Sequence, residues 1–430
     1  MMEERDVVIT GMGLVTSLGK GCEENWEMVN SGKTGIRHHP AEGFPASMQY
    51  FGKVQDVALP QDLPPKLTGQ MKFLNRGAQM GFLASYESVK KADFPLEQVP
   101  PGRRALFMAT GDFTKVGYDY MYPAVKEAVK HGGMDLARLN AAALDKVNPF
   151  FLLESLQNNL FSFLSAYFEF MGPNTSLGSL SPCGSQTIEL GCRAIRQDKA
   201  DIAVAVSYGS WINEVPLYEL DRLGLLSSCR EAERSFSPFD RHRDGFLAGE
   251  GGAALFLEAY GSAKRRGAKI LGIIKGVANY NEFVPGKDFS VPEKVSRRGM
   301  ELALNNSDCA IGDLGFITAH GNGTGSGDRS EMASFADLFG TAKAGAPICA
   351  IKPYTGHLGA ASDVVEIIIS MLAAREGIVP ATLNFSEADK EFSSLNISSS
   401  QQPCASNTIM SVSYGTGGQS CVIIVQVEKK

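Results

Sequence analysis

Short β-branched runs alternate with longer stretches of helical period along the whole chain, and this alternation constrains the fold most. Strand patterns occupy Asp6–Thr10, Ala105–Thr110, Asp201–Ser207, Ala253–Glu258, Ile270–Val277, Phe316–Ala319, Pro347–Ile351 and Cys421–Val427. Helical spacing occupies Asn75–Lys91, Asn148–Met171, Gln186–Gln197, Val295–Asn305, Glu331–Phe339 and Ala361–Glu376. The strand runs are apolar on both sides, which predicts an α/β protein with largely buried sheets. At 430 residues the chain exceeds what one core supports, so paired halves are expected. No linker or low-complexity tract separates them, and the halves are expected to be fused tightly.

Two segments invite closer reading. Gly11-Met12-Gly13-Leu14-Val15-Thr16 breaks the G-x-G-x-x-G spacing at its third position. It predicts a tight strand-to-loop turn with no dinucleotide. Asn148–Met171 is rich in Phe, Leu and Tyr nearly all round, which predicts a helix covered on both sides, one side by another subunit.

The net charge of −6 argues against a protein that grips nucleic acid or an anionic membrane through a general basic field. No apolar stretch reaches membrane-spanning length, and the start Met1-Met2-Glu3-Glu4-Arg5-Asp6 lacks the apolar core of a secretory signal. The cysteines at 22, 183, 192, 229, 309, 349, 404 and 421 form no C-x-x-C pair and no paired framework. They read as reduced thiols in a cytoplasmic protein without a metal site.

Four of the six histidines read as surface or structural. His38 and His39 precede Pro40, His131 ends a helix, and His242 lies in a charged run. The other two differ. His320 follows Phe316-Ile317-Thr318-Ala319 and opens His320-Gly321-Asn322-Gly323-Thr324-Gly325. His357 follows Pro347-Ile348-Cys349-Ala350-Ile351-Lys352 and opens Gly356-His357-Leu358-Gly359-Ala360-Ala361. Each stands where a buried strand empties into a Gly-rich turn, the place where α/β folds hold ligands.

These motifs resemble those of the β-ketoacyl synthases. His320-Gly321-Asn322-Gly323-Thr324, with Asp328 and Glu331 following, is similar to the first histidine motif, with Asn322 where Thr is usual. Lys352 and Gly356-His357 resemble the second. Pro238–Gly251 is similar to the central stretch, and Ser413-Tyr414-Gly415-Thr416-Gly417-Gly418 to the closing loop. The resemblance spans nearly the whole chain in order. It implies a thiolase fold: a duplicated five-layered αβαβα sandwich, with halves at 1–258 and 259–430, normally dimeric.

The family places a nucleophilic cysteine at the start of a buried helix. Gly172-Pro173 and Lys199-Ala200-Asp201 bracket that place here, and the interval pairs without a gap when Ser181 takes the position. Putting Cys183 there requires a two-residue deletion inside the helix, which would turn its packed face by about 200°. Ser181-Pro182 also reads as N-cap and N1. Ser181 is therefore the favoured position, with Cys183 as the alternative.

The resemblance implies that the residue at 181 takes an acyl group, that His320 and His357 stabilise the enolate of a malonyl thioester, and that Lys352 with Glu331 fixes the second histidine. The backbone of Thr416 would complete an oxyanion hole. Thr416 also stands where the family usually has a bulky Phe. Substrates would arrive on the phosphopantetheine of an acyl carrier protein, with no resident cofactor. Lys66, Lys72 and Arg76 are candidates to meet that acidic carrier. Three activities stay open. One is a decarboxylative condensing enzyme of type II fatty acid or polyketide biosynthesis. The second is a malonyl decarboxylase or acyltransferase using Ser181 and both histidines. The third is a non-condensing partner subunit like a chain-length factor. Intact histidine motifs favour an enzyme, working as a homodimer or beside another ketosynthase-like subunit.

Overall fold

Strands covered on both faces carry apolar side chains without alternation, and the long runs of this chain follow that rule. Ala248–Ala259, for example, is buried at every position. A computed structural model describes residues 3–60, 63–111, 118–130, 132–149, 151, 156, 158–178, 181–283, 291–340 and 345–429. Ten strands carry the body of the fold: β1 (Val7–Thr16), β2 (Arg104–Thr110), β3 (Asn174–Gly178), β4 (Ile202–Ser210), β5 (Ala248–Ala259), β6 (Gly272–Asn281), β7 (Leu314–Ala319), β8 (Ile348–Ala350), β9 (Thr408–Tyr414) and β10 (Gln419–Val427). Five helices matter below: α1 (Arg76–Ala92), α2 (Cys183–Arg196), α3 (Arg297–Ser307), α4 (Gly325–Phe339) and α5 (Ala361–Arg375).

The sheet order is β8-β7-β9-β10-β6-β1-β5-β4-β2-β3. Within it, β2 lies parallel to β3 and β4, while β5 runs antiparallel to β4 and β1. The same pattern recurs five strands later: β7 lies parallel to β8 and β9, and β10 runs antiparallel to β9 and β6. Among the described residues the two five-stranded units join where Val8 and Ile9 of β1 pair with Ile273 and Gly272 of β6. Between them lie α2 and α5, packed on each other and on both units; α1 covers one outer face and α3 the other. This is the five-layered thiolase fold. Its main core joins Val364, Ile367, Ile368 and Met371 of α5 to Leu255, Leu257, Ile423 and Val425 of the two sheets.

Several sequence expectations are corrected here. Gly11 and Gly13 are not in a turn; the strand β1 continues through both. A Cβ at Gly11 would stand 2.1 Å from the Ser88 carbonyl oxygen and one at Gly13 1.9 Å from that of Ala84, so these glycines let α1 lie directly on the strand. The segment at 148–171 is not one long helix among the described residues. Asn159–Phe168 is helical and buries one face, Leu160, Phe163, Leu164 and Phe168, while Ser162 and Ala166 are exposed. β3 and β9 lacked a strand prediction. The polar Asn-Thr-Ser-Leu-Gly of β3 gives no apolar alternation, and β9 runs into a Gly-rich motif that reads as loop. His131 lies outside the described residues.

Candidate active site

His320 begins where β7 ends, and buried carboxylates shape its turn. Glu331 on α4 accepts the backbone N–H of His320 at 2.7 Å and of Gly321 at 2.9 Å. Asp328, one turn earlier, accepts those of Gly323 at 3.0 Å and Phe239 at 2.7 Å. Burial pushes the Glu331 carboxyl up to about 8 and that of Asp328 up to about 6, against the pull of those donors. The sequence assigned Glu331 to Lys352, but the structure gives it to the loop backbone instead.

Lys352 is fully buried and uses all three of its donors. Its Nζ lies 2.7 Å from Glu366 Oε1, 2.5 Å from the His320 carbonyl oxygen and 3.2 Å from His320 Nδ1. It therefore holds the first histidine, not the second as predicted from sequence. The second is held by its own turn. Gly356 adopts φ +84°, where a side chain would be strained and its Cβ would stand 2.4 Å from the Ala248 carbonyl. The turn then brings Gly359 N–H onto His357 Nδ1 at 3.1 Å. Trp211, directly after β4, stacks on the imidazole at 4.9 Å between centroids, and Phe246 closes its edge at 4.8 Å.

The two imidazoles are 5.5 Å apart and perpendicular. An ammonium donates to Nδ1 of one and an amide to Nδ1 of the other, which assigns an Nε2–H to both rings. Burial, with Lys352 nearby, drives both histidines well below the usual imidazole range, His357 adding to the effect on His320. Both are neutral hydrogen-bond donors at physiological pH.

Ser181 joins this pair through two short backbone paths. Its hydroxyl donates to Asp363 Oδ1 at 2.7 Å and lies 3.5 Å from the carbonyl of Gly359, two residues beyond His357. From the other side, a Cβ on Gly415 would meet the Ser181 carbonyl at 2.3 Å, and the ring of adjacent Tyr414 packs on His320 at 4.4 Å. The other oxygen of Asp363 accepts N–H groups of Gly184 and Ser185 in the first turn of α2. The helix starts at Cys183 with Pro182 at the N-cap, so the predicted cap is one residue early: Ser181 precedes the helix. Cys183 is buried with Ala109, Ala360 and Leu177, and borders a recess of about 520 Å³ that also holds Ser176, Gln186, Tyr280 and Gln419.

Residues 4–263 match the family described as beta-ketoacyl synthase, N-terminal domain, and residues 271–386 match its C-terminal domain. The chain belongs to the β-ketoacyl synthase family. Among similar proteins is the tetracenomycin polyketide synthase ketoacyl synthase alpha subunit of Streptomyces glaucescens, 26% identical over 98% of this chain and 97% of that one. The 3-oxoacyl-[acyl-carrier-protein] synthase 2 of Coxiella burnetii is 26% identical over 99% of both. The fold matches a solved type II polyketide ketosynthase in complex with its acyl-carrier protein, with a TM-score of 0.84 at 22% identity over 99% of this chain and 100% of that one. These are acyl-transferring enzymes, and so is this synthase.

Not every residue predicted for the synthase gathers at the site. Thr416 is exposed, in the turn just beyond Gly415. Lys66 and Lys72 are exposed on the surface, whereas Arg76 turns inward and bonds both oxygens of the fully buried Glu250. Arg76 is thereby removed from the predicted carrier-docking set. Sequence reading missed Asp363, Glu366 and Trp211. A signal existed for the first two: they are the acidic residues of a largely apolar helix, Ala361–Arg375, and neither reaches water.

Proposed function

We propose that this synthase joins acyl- and malonyl-carrier-protein thioesters by decarboxylative Claisen condensation, within type II fatty acid or polyketide biosynthesis. The observation that carries this reading is the pair of neutral imidazoles 5.5 Å apart, each with Nδ1 occupied and an Nε2–H left to donate. A malonyl thioester carbonyl between them accepts both donors. As the carbon–carboxylate bond breaks and CO₂ leaves, the electron pair passes onto that oxygen, where the same donors stabilise the enolate. The enolate carbon then attacks the acyl group held at position 181. The phosphopantetheine arm of an acyl carrier protein brings both substrates, so the reaction needs no resident cofactor.

A silent chain-length-factor role is disfavoured, because Lys352, Glu331 and Asp328 all serve to hold donors that such a subunit would not use. Purified protein, alone and beside a ketosynthase-like partner, should release CO₂ from malonyl-carrier protein. With acyl-carrier protein present, mass spectrometry should find the chain-extended β-ketoacyl product. No CO₂ and no product under either condition would overturn the reading.

A further inference from the structure

Most carboxyls around the site already have a task. Glu331 and Asp328 hold backbone N–H groups, and Glu366 holds Lys352. Asp363 differs, because one of its oxygens faces the hydroxyl of Ser181. That hydroxyl needs help. It is a far weaker acid than a thiol of pKa about 8.5, so without a base it acts poorly as a nucleophile. The imidazoles cannot provide one, since Nδ1 of each already accepts a hydrogen bond and Nε2 carries the proton.

We propose that Asp363 is the general base for Ser181, and that together they take an acyl group from a pantetheine thioester as an oxygen ester. This rests on position 181 being the acyl acceptor. In the step, Ser181 Oγ attacks the thioester carbonyl carbon; the new C–O bond forms and the C–S bond breaks. The hydroxyl proton passes to Asp363 Oδ1, and from there to the departing thiolate, which leaves as the thiol. Asp363 is well placed to recycle. Its second oxygen is anchored by Gly184 and Ser185 N–H groups, so protonation at Oδ1 leaves the side chain in position.

The surroundings set its working range. Burial raises the carboxyl to about 6, while the Ser181 hydroxyl, Lys352 and the two backbone donors oppose the rise. Glu366 on the same helix and the Cys421 thiol on β10 also face it. Asp363 is thus mostly ionised at neutral pH yet close enough to neutral to return a proton.

The test is intact-protein mass spectrometry of Ser181 acylation by acyl-carrier protein, with CO₂ release from malonyl-carrier protein measured in parallel. Wild type should carry an acyl adduct stable to neutral hydroxylamine, as an oxygen ester is and a thioester is not. Its formation should slow about tenfold per pH unit below about 6. Asp363→Asn keeps the shape but reverses the bond to Ser181, and should slow acylation about 10²–10³-fold while CO₂ release persists. Adding Ser181→Cys to that variant should restore acylation, now hydroxylamine-labile, because a thiol needs no such base. Persistent CO₂ release shows that the variant is folded and that the reading of the histidines stands. Unchanged acylation in Asp363→Asn, an adduct on Cys183, or no adduct in a wild type that does release CO₂ would each overturn the proposal. Loss of CO₂ release from wild type would instead overturn the function.

Discussion

The two halves share a scaffold down to its irregularities and differ almost completely in what they place at its ends. In the first half, a bulge between Ile9 and Gly11 lets α1 press on β1. In the second, a bulge between Ile274 and Gly276 does the same for β6, where a Cβ on Gly276 would stand 2.4 Å from the Ala303 carbonyl of α3. At the strand ends the likeness stops. After β2 comes Gly111, and after its counterpart β7 comes His320. After β3 comes Ser181, and after β8 come Lys352, His357 and Asp363. The halves also exchange covers: Trp211, following β4, lies over His357, while Gly415, following β9, lies over Ser181. One geometry thus occurs twice, with the proposed acyl acceptor on one copy and the proposed donors on the other.

The largest effect should come from the second half's buried pair. Lys352→Met leaves the Glu366 carboxyl without its partner and should cost about 3–5 kcal/mol in chemical denaturation, much of it recovered by adding Glu366→Leu. A single variant as stable as wild type would break the idea that the second half's chemistry is held by that pair.

Next come the donors themselves. His320→Ala and His357→Ala should each lower CO₂ release from malonyl-carrier protein about 10²–10³-fold. If only one of them did, the two turns would not be acting on one oxygen.

The shared scaffold should respond symmetrically. Gly11→Ala and Gly276→Ala each overpack a helix–strand crossing and should cost about 1–3 kcal/mol in denaturation, leaving CO₂ release per folded molecule unchanged. A large cost in one half alone would mean that the repeated bulge is not doing the same task twice.

The smallest expected effect is a pH dependence. His357 is neutral in the fold, its pKa depressed by burial, while in the unfolded chain it titrates near 6.5. Below that value the unfolded state binds the extra proton, so the stability that this histidine contributes falls as pH falls. From pH 7 to 5, wild type should lose about 1–2 kcal/mol relative to His357→Gln, measured as the difference between denaturation curves. The difference isolates the imidazole from Asp363 and Glu331, whose raised values act with the opposite sign. A flat difference would show that His357 is not kept neutral.

How much of this the sequence reveals depends on the range of each contact. The two histidine turns are legible because a buried strand ending in glycines marks itself locally. The Lys352–Glu366 pair and the Ser181–Asp363 bond are not, because they need α5 placed beneath both turns, across 14 and 182 residues of chain. Even so, carboxyls in an apolar helix were a visible warning. Trp211 over His357 follows from no local pattern at all, since it joins strand ends of different halves. Gly11 and Gly13 misled for the converse reason: a glycine that admits a helix looks, in sequence, like one that admits a turn.

The sheet order has a consequence for how the chain comes into being. β10, near the end of the sequence, lies between β9 and β6, so β6 has no partner within its own half until Val427 has been made. On a ribosome adding about 5–20 residues per second, the first half can settle while the second waits with an open strand edge. Such non-local pairing is slow to form and exposed to wrong partners in the interval. Every route to Ser181 through Gly415 or Asp363 crosses that late-closing half. The proposed acyl acceptor is therefore built early, and its surroundings are complete only when the last strand slides home.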